Sequence, residues 1–110
     1  MKPQTLYSKF VQSHTVAELD EQIIGSLMIT FEWSDWRNGL FWWIQSVYVD
    51  KTWRKEGIFT QLLHEIKKRA ADHGVDILRL YVHNDNEKAI KTYEKIGMDK
   101  KHYSFYQLTL

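Results

Sequence analysis

Residues 44–70 read IQSVYVDKTWRKEGIFTQLLHEIKKRA, and how this stretch is read decides the fold. Ile44–Val49 is rich in β-branched and aromatic residues, which suit a strand. From Ile58 the period changes: Phe59, Leu62, Leu63, Ile66 and Ala70 recur on one face of a helix. Lys67, Lys68 and Arg69 gather at its end, where cations meet the negative pole of the helix, and Gly74 stops it. Between strand and helix lies RKEGIF, Arg54–Phe59, with one glycine and three charges. A helix that starts just after a strand presents amides without helical partners and favours an anion. Gly57 lets the backbone approach a ligand closely, and Arg54 and Lys55 add positive charge. The segment reads either as an ordinary turn or as a loop that holds phosphates. It is not a P-loop, since no GK[ST] follows, nor a Rossmann fingerprint, since GxGxxG is missing.

Downstream, DILRLYVH (Asp76–His83) reads as a strand, so the crossover from Val49 to Asp76 implies a parallel pair. Upstream, TVAEL (Thr15–Leu19) and QIIGSLMITF (Gln22–Phe31) read as neighbouring strands joined at Asp20-Glu21. Asn38-Gly39 signals a hairpin, because both residues tolerate positive φ. Leu40–Val49 is almost wholly apolar, which predicts a central strand covered on both faces. NEKAIKTYEKIG (Asn86–Gly97) reads as a second helix, and MDKKHYSFYQLTL (Met98–Leu110) as one or two short strands. The expectation is a single domain over residues 1–110, of α/β or α+β class, with a mixed, mostly antiparallel sheet, one parallel pair and two helices.

Composition narrows the function. The 110 residues are 44% hydrophobic and 26% charged, as in a folded globular domain. Fifteen basic residues against fourteen acidic leave a charge of +1, which offers no electrostatic case for nucleic acid or an acidic membrane. The absence of cysteine excludes disulfides and thiolate metal sites and permits a cytoplasmic location. Polar residues interrupt Met1–Asp20 throughout, and no apolar run is long enough to span a membrane. His64 and His73 lie on one expected helix without i, i+4 spacing, and no carboxylate cluster completes a metal site. Aromatic residues reach 15%, many of them between Phe31 and Trp53, which fits a strand core or a binding or subunit surface.

NDNEKAIKTYEKIGM contains N-x-x-A-x-x-x-Y-x-x-x-G-M, from Asn86 through Ala89, Tyr93 and Gly97 to Met98. Together with VYVDKTWRKEGIF, it resembles the GNAT family of acetyl-CoA-dependent N-acetyltransferases. RKEGIF is similar to that family's pyrophosphate loop, R/Q-x-x-G-x-G/A, with Arg54 and Gly57 in place and Phe59 where a second small residue is usual. The approach IIGSLMITFEWSDW and LFWWIQSVYV resembles the diamine and polyamine branch. The resemblance implies acetyl-CoA in a cleft between the splayed strands Ile44–Val49 and Ile77–Val82. It implies that the backbone of Val47, Tyr48 and Val49 meets the pantetheine and helps polarise the thioester carbonyl. Arg54, Lys55, Glu56, Gly57, Ile58, Phe59 and Thr60 would hold the pyrophosphate, while Asn86 and Ala89 would complete the cofactor side. Tyr93 would be the general acid that protonates the departing thiolate. No metal is implied.

Each of these residues also has a plainer reading. Tyr93 is a core aromatic in line with Ile96, Asn86 a helix cap, and Lys100-Lys101 an exposed pair rather than a nucleotide contact. The base is the open question, since an alkyl ammonium of pKa about 10.4 must lose a proton before it attacks. Related polyamine enzymes place Glu where this chain has Gln45. Glu32, Asp35 and His83 are the alternatives, or a water chain to solvent; Glu32, Trp36 and Gln45 are the residues expected near the acceptor.

Family members usually begin with a strand and two helices, and only about fourteen residues precede the recognisable part here, too few for those elements. Their absence would expose an apolar sheet face, for which a homodimer is the expected cover. The functional expectation is an N-acetyltransferase that moves acetyl to the primary amine of a small molecule by direct attack in a ternary complex. The alternative is a non-catalytic CoA-binding or dimerising protein derived from the family.

Overall fold

The computed structural model describes residues 7–11, 14–34 and 38–110. Its strands are β1 (Tyr7–Val11), β2 (His14–Leu19), β3 (Gln22–Ser34), β4 (Gly39–Val49) and β5 (Leu78–Arg79). The helices are α1 (Ile58–Asp72) and α2 (Glu87–Lys95), and a single 3-10 turn covers Lys51–Trp53. The sheet runs in the order β1-β2-β3-β4-β5, antiparallel except for the parallel pair β4–β5. This is the mixed sheet with one parallel pair and two helices that the crossover required.

The turns form as their residues dictate. Asp20 and Glu21 both take positive φ, 50° and 65°, and so make the tight β2–β3 reversal. Asn38 has φ 51° beside the Ser34–Gly39 pair that closes the β3–β4 hairpin. α1 buries Ile58, Leu62, Leu63, Ile66 and Ala70 against Ala17, Leu27, Ile29, Trp42 and Ile44 of one sheet face. Phe41, Trp43 and Gln45 alternate with those β4 residues and therefore look the other way. Gly25 is buried under the first turn of α1, where Ile58 leaves no room for a side chain. No helix among the described residues is long and apolar enough to cross a membrane.

Four expectations are corrected. A strand does precede the recognisable part: β1 pairs with β2 from Tyr7↔Glu18 to Val11↔His14. The second parallel strand is only Leu78–Arg79, because its ladder with β4 ends there. β4 is covered on both faces only in its first half, at Phe41, Trp42 and Ile44, whereas Val47 and Tyr48 beyond are exposed. Residues 98–110 form no strand. Tyr103, Tyr106 and Leu108 stay exposed, since a strand needs a partner edge and β5 offers only two residues.

Candidate functional site

The site is organised by the point at which β4 leaves β5. Trp42 and Trp43 pair with Leu78 and Arg79, and the Trp42 N–H bonds the Ile77 carbonyl at 3.2 Å. Beyond Trp43, β4 has only β3 as a ladder partner. Immediately after this, β4 carries a bulge. Met28 pairs with Gln45 but Ser26 with Tyr48, so one extra residue enters β4 there, and Ser46 holds φ 50° to accommodate it. The bulge bends the strand next to the opening and leaves Val47 and Tyr48 exposed.

The chain then turns into α1. Asp50 accepts the Thr52 amide at 3.0 Å and the Tyr48 hydroxyl at 3.4 Å, which shapes the 3-10 turn. The Arg54 Nε–H donates to the Val49 carbonyl at 3.1 Å and ties the loop back to the end of β4. Lys55 and Gly57 both have positive φ, 67° and 80°. Gly57 caps α1 without a side-chain bond, and nothing lies within 4 Å of where its β-carbon would stand. The Gln61 amide makes the bond to the Gly57 carbonyl at 3.1 Å, so the amides of Ile58, Phe59 and Thr60 precede the first helical hydrogen bond. An open, uncapped, positively polarised helix start is the result, a geometry that favours an anion. The side chain of Ile58 belongs to the core, so only its backbone can serve a ligand.

α2 carries the remaining residues expected at the site. Asn86 Oδ1 accepts the Ala89 amide at 3.2 Å; the residue is a helix cap, and its amide group remains for a further partner. Glu87 in the first turn and Lys95 in the last match the helix dipole. Tyr93, on the same helix, is partly buried, and that loss of solvent raises its phenol above the ordinary value of 10.0. Its ring faces Phe59 at a centroid distance of 5.7 Å and an angle of 59°. Phe59 also packs on the core, so its side chain both fills the core edge and reaches Tyr93.

The residues expected near an acceptor divide into groups. Gln45 lies beside the bulge, where its Nε2 donates to Thr30 Oγ1 at 3.2 Å. Glu32 accepts the Trp43 indole N–H at 2.6 Å and lies 3.8 Å from the Arg79 guanidinium, so it is already engaged. His83 stands on the exposed turn after β5, its Nδ1 accepting the Asp85 amide at 3.1 Å. Trp36 and Asp35 lie outside the described residues.

One aromatic and cationic constellation has no local sign in the sequence. Arg79 lies over the Phe41 ring at 4.1 Å, Trp43 stacks on Tyr81 at 4.5 Å and 20°, and Phe105 meets Tyr81 edge-on at 5.7 Å. Alternation in β4 puts Phe41 and Trp43 on one face, but only the parallel register brings Arg79 and Tyr81 beside them.

The acetyltransferase (GNAT) family model matches residues 3–98. Thialysine N-epsilon-acetyltransferase of Bos taurus is 28% identical over 75 residues, which are 68% of this chain and 44% of that protein. The chain therefore spans under half the length of this curated relative. A possible acetyltransferase from Clostridium difficile 630 superposes with a TM-score of 0.79 at 42% identity, covering 88% of this chain and 64% of that one. An aminoglycoside acetyltransferase from an uncultured soil metagenomic sample, solved with sisomicin, gives 0.78 at 17% identity over 88% and 64%, a likeness of fold.

Proposed function

The chain belongs to the acetyltransferase (GNAT) family, and from that premise we propose that it transfers an acetyl group from acetyl-CoA to the primary amine of a small molecule. The observation that carries this reading is the open start of α1. Gly57 is left-handed and unobstructed, directly beyond the strand that has parted from β5. Acetyl-CoA, when bound, supplies the activated acyl group that an amine takes up.

This chain's own residues then have defined tasks. The amides of Ile58, Phe59 and Thr60, with Lys55 and Arg54, hold the diphosphate. The exposed residues Val47 and Tyr48 at the end of β4, with half-buried Val49 whose carbonyl Arg54 already occupies, offer backbone groups to the pantetheine arm and to the acyl oxygen. Asn86 caps α2 with its oxygen and gives its amide hydrogens to the same arm. Tyr93 Oη keeps its proton up to strongly alkaline pH and delivers it to the departing sulfur, then recovers one from solvent. The acceptor enters on the face of Gln45, which orients a water through which the ammonium loses its proton.

The thialysine and aminoglycoside enzymes among the relatives support an amine acceptor. The test is thiol release from acetyl-CoA with polyamines, amino acids and aminoglycosides, alongside calorimetry of acetyl-CoA binding. Binding with amine-dependent release is expected; no binding overturns the reading. A second reading, a CoA-binding protein without catalysis, is favoured by one observation: Gln45 cannot act as a base, and its amide is bonded to Thr30. Binding without release from any amine would select it. We also propose a homodimer, because Phe31, Trp33 and Leu40 are exposed at the β3–β4 hairpin. Sedimentation at micromolar concentration should show a dimer, and a monomer there refutes it.

A further inference from the structure

We infer that Phe59 is the positioning residue for Tyr93: the aromatic ring that follows the diphosphate loop sets the orientation of the phenol and keeps water from its flank. The inference rests on the reading of Tyr93 as the acid.

α2 has no fully buried residue; Ala89, Ile90 and Tyr93 are its partly buried ones, and Ile96, its C-cap, packs on the core. Among the described residues, Phe59 is the aromatic partner of the Tyr93 ring. At 5.7 Å and 59°, the two rings sit in the tilted arrangement that aromatic quadrupoles favour. Phe59 is itself fixed, because it lies in the first turn of α1 and packs on the same core as Leu62 and Leu63. A small residue at this place, which the motif usually carries, has no atoms that reach across to Tyr93. The loop therefore has two products. Its backbone shapes the anion site at Gly57, and its side chain, two residues later, carries the position of α1 to the acid on α2. Burial is the cause that raises the Tyr93 phenol, and Phe59 is an apolar group packed on that ring.

A double-mutant cycle tests this, with kcat, KM and acetyl-CoA affinity measured for each protein. Phe59→Ala should lower kcat by about tenfold or more, since small misplacements of a reacting group are costly, while calorimetric affinity changes by less than about threefold. In a Tyr93→Phe background, Phe59→Ala should change kcat by less than about twofold, because the group it positions has lost its proton. Phe59→Tyr keeps the ring and should keep kcat within about threefold of the parent. If Phe59→Ala fails to fold, Phe59→Leu replaces it in the same cycle. Additive losses in the double variant overturn the inference, as does a loss of acetyl-CoA affinity with kcat unchanged. Thiol release that Tyr93→Phe does not slow overturns the positioning role and leaves acetyl transfer standing. No release from the parent with any amine overturns the proposed function and this inference with it.

Discussion

A β-carbon on Gly25 would lie 2.7 Å from Ile58 Cγ2 and 3.3 Å from the Tyr48 carbonyl oxygen. Gly25 pairs with Val49, and Ile58 opens α1, so this contact sets how closely the helix start approaches the end of β4. Gly25→Ala should destabilise the fold by about 1–3 kcal/mol through overpacking. Thermal unfolding should show the loss, and acetyl-CoA should bind more weakly because the loop is displaced. An unchanged melting temperature would contradict the packing argument.

Gly57 presents the opposite case. Space is free around it, but its φ of 80° is strained for any side chain. Gly57→Ala should cost about 1–2 kcal/mol of stability from backbone strain alone. Because the loop would relax away from the left-handed geometry, acetyl-CoA affinity should fall further than that of a surface variant such as Lys68→Ala. Calorimetry on both variants decides it.

Asn86 combines a cap with a proposed ligand bond, and two substitutions separate them. Asn86→Ala removes the bond to the Ala89 amide and should lose about 0.5–2 kcal/mol. Asn86→Asp keeps an equally good cap oxygen, so its melting temperature should match the parent. It lacks the amide hydrogens, and acetyl-CoA should bind it more weakly. Equal affinity for parent and Asp variant would leave Asn86 as a cap only.

Tyr93→Phe should reduce kcat by about 10²–10⁴-fold, the usual range for a positioned acid, with little change in affinity. The pH dependence follows from burial. The folded phenol ionises above 10.0, so the acid stays protonated through neutral and mildly alkaline pH. The rate should rise with pH as the amine loses its proton and fall on Tyr93's account only above 10.0. Stability has the same sign. The unfolded phenol ionises first, so this contribution is complete below 10.0 and is lost as pH rises through the folded value. A falling limb below pH 10 that persists in Tyr93→Phe would assign it to another group.

Much of the fold could be read from particular residues. The period change at Ile58 marked α1, and Gly74 and Gly97, both with positive φ, mark where the helices stop. Asn86 could be recognised as a helix start from its type and place, and it caps as expected. Gly57 stood out as the one glycine of the loop, and its φ of 80° is one that a residue without a β-carbon reaches cheaply. The C-terminal segment misled for a physical reason: its residue types make a strand feasible, whereas pairing depends on an edge elsewhere in the chain. The bulge at Ser46 gave no local sign, since no glycine stands there and the left-handed turn is held by the β3 register.

By itself, then, the sequence determined the two helices, the strands β2 to β4, their turns and the family motifs, because these depend on backbone sterics and on the period of apolar residues within a few positions. Tertiary structure alone decided three things. It placed the end of the β4–β5 ladder at Trp43 and Arg79, it engaged Glu32 with Trp43 and Arg79, and it brought Phe59 against Tyr93. Each joins residues far apart in the chain, and the strand register and the meeting of Tyr93 with Phe59 set such contacts, which local preference does not encode.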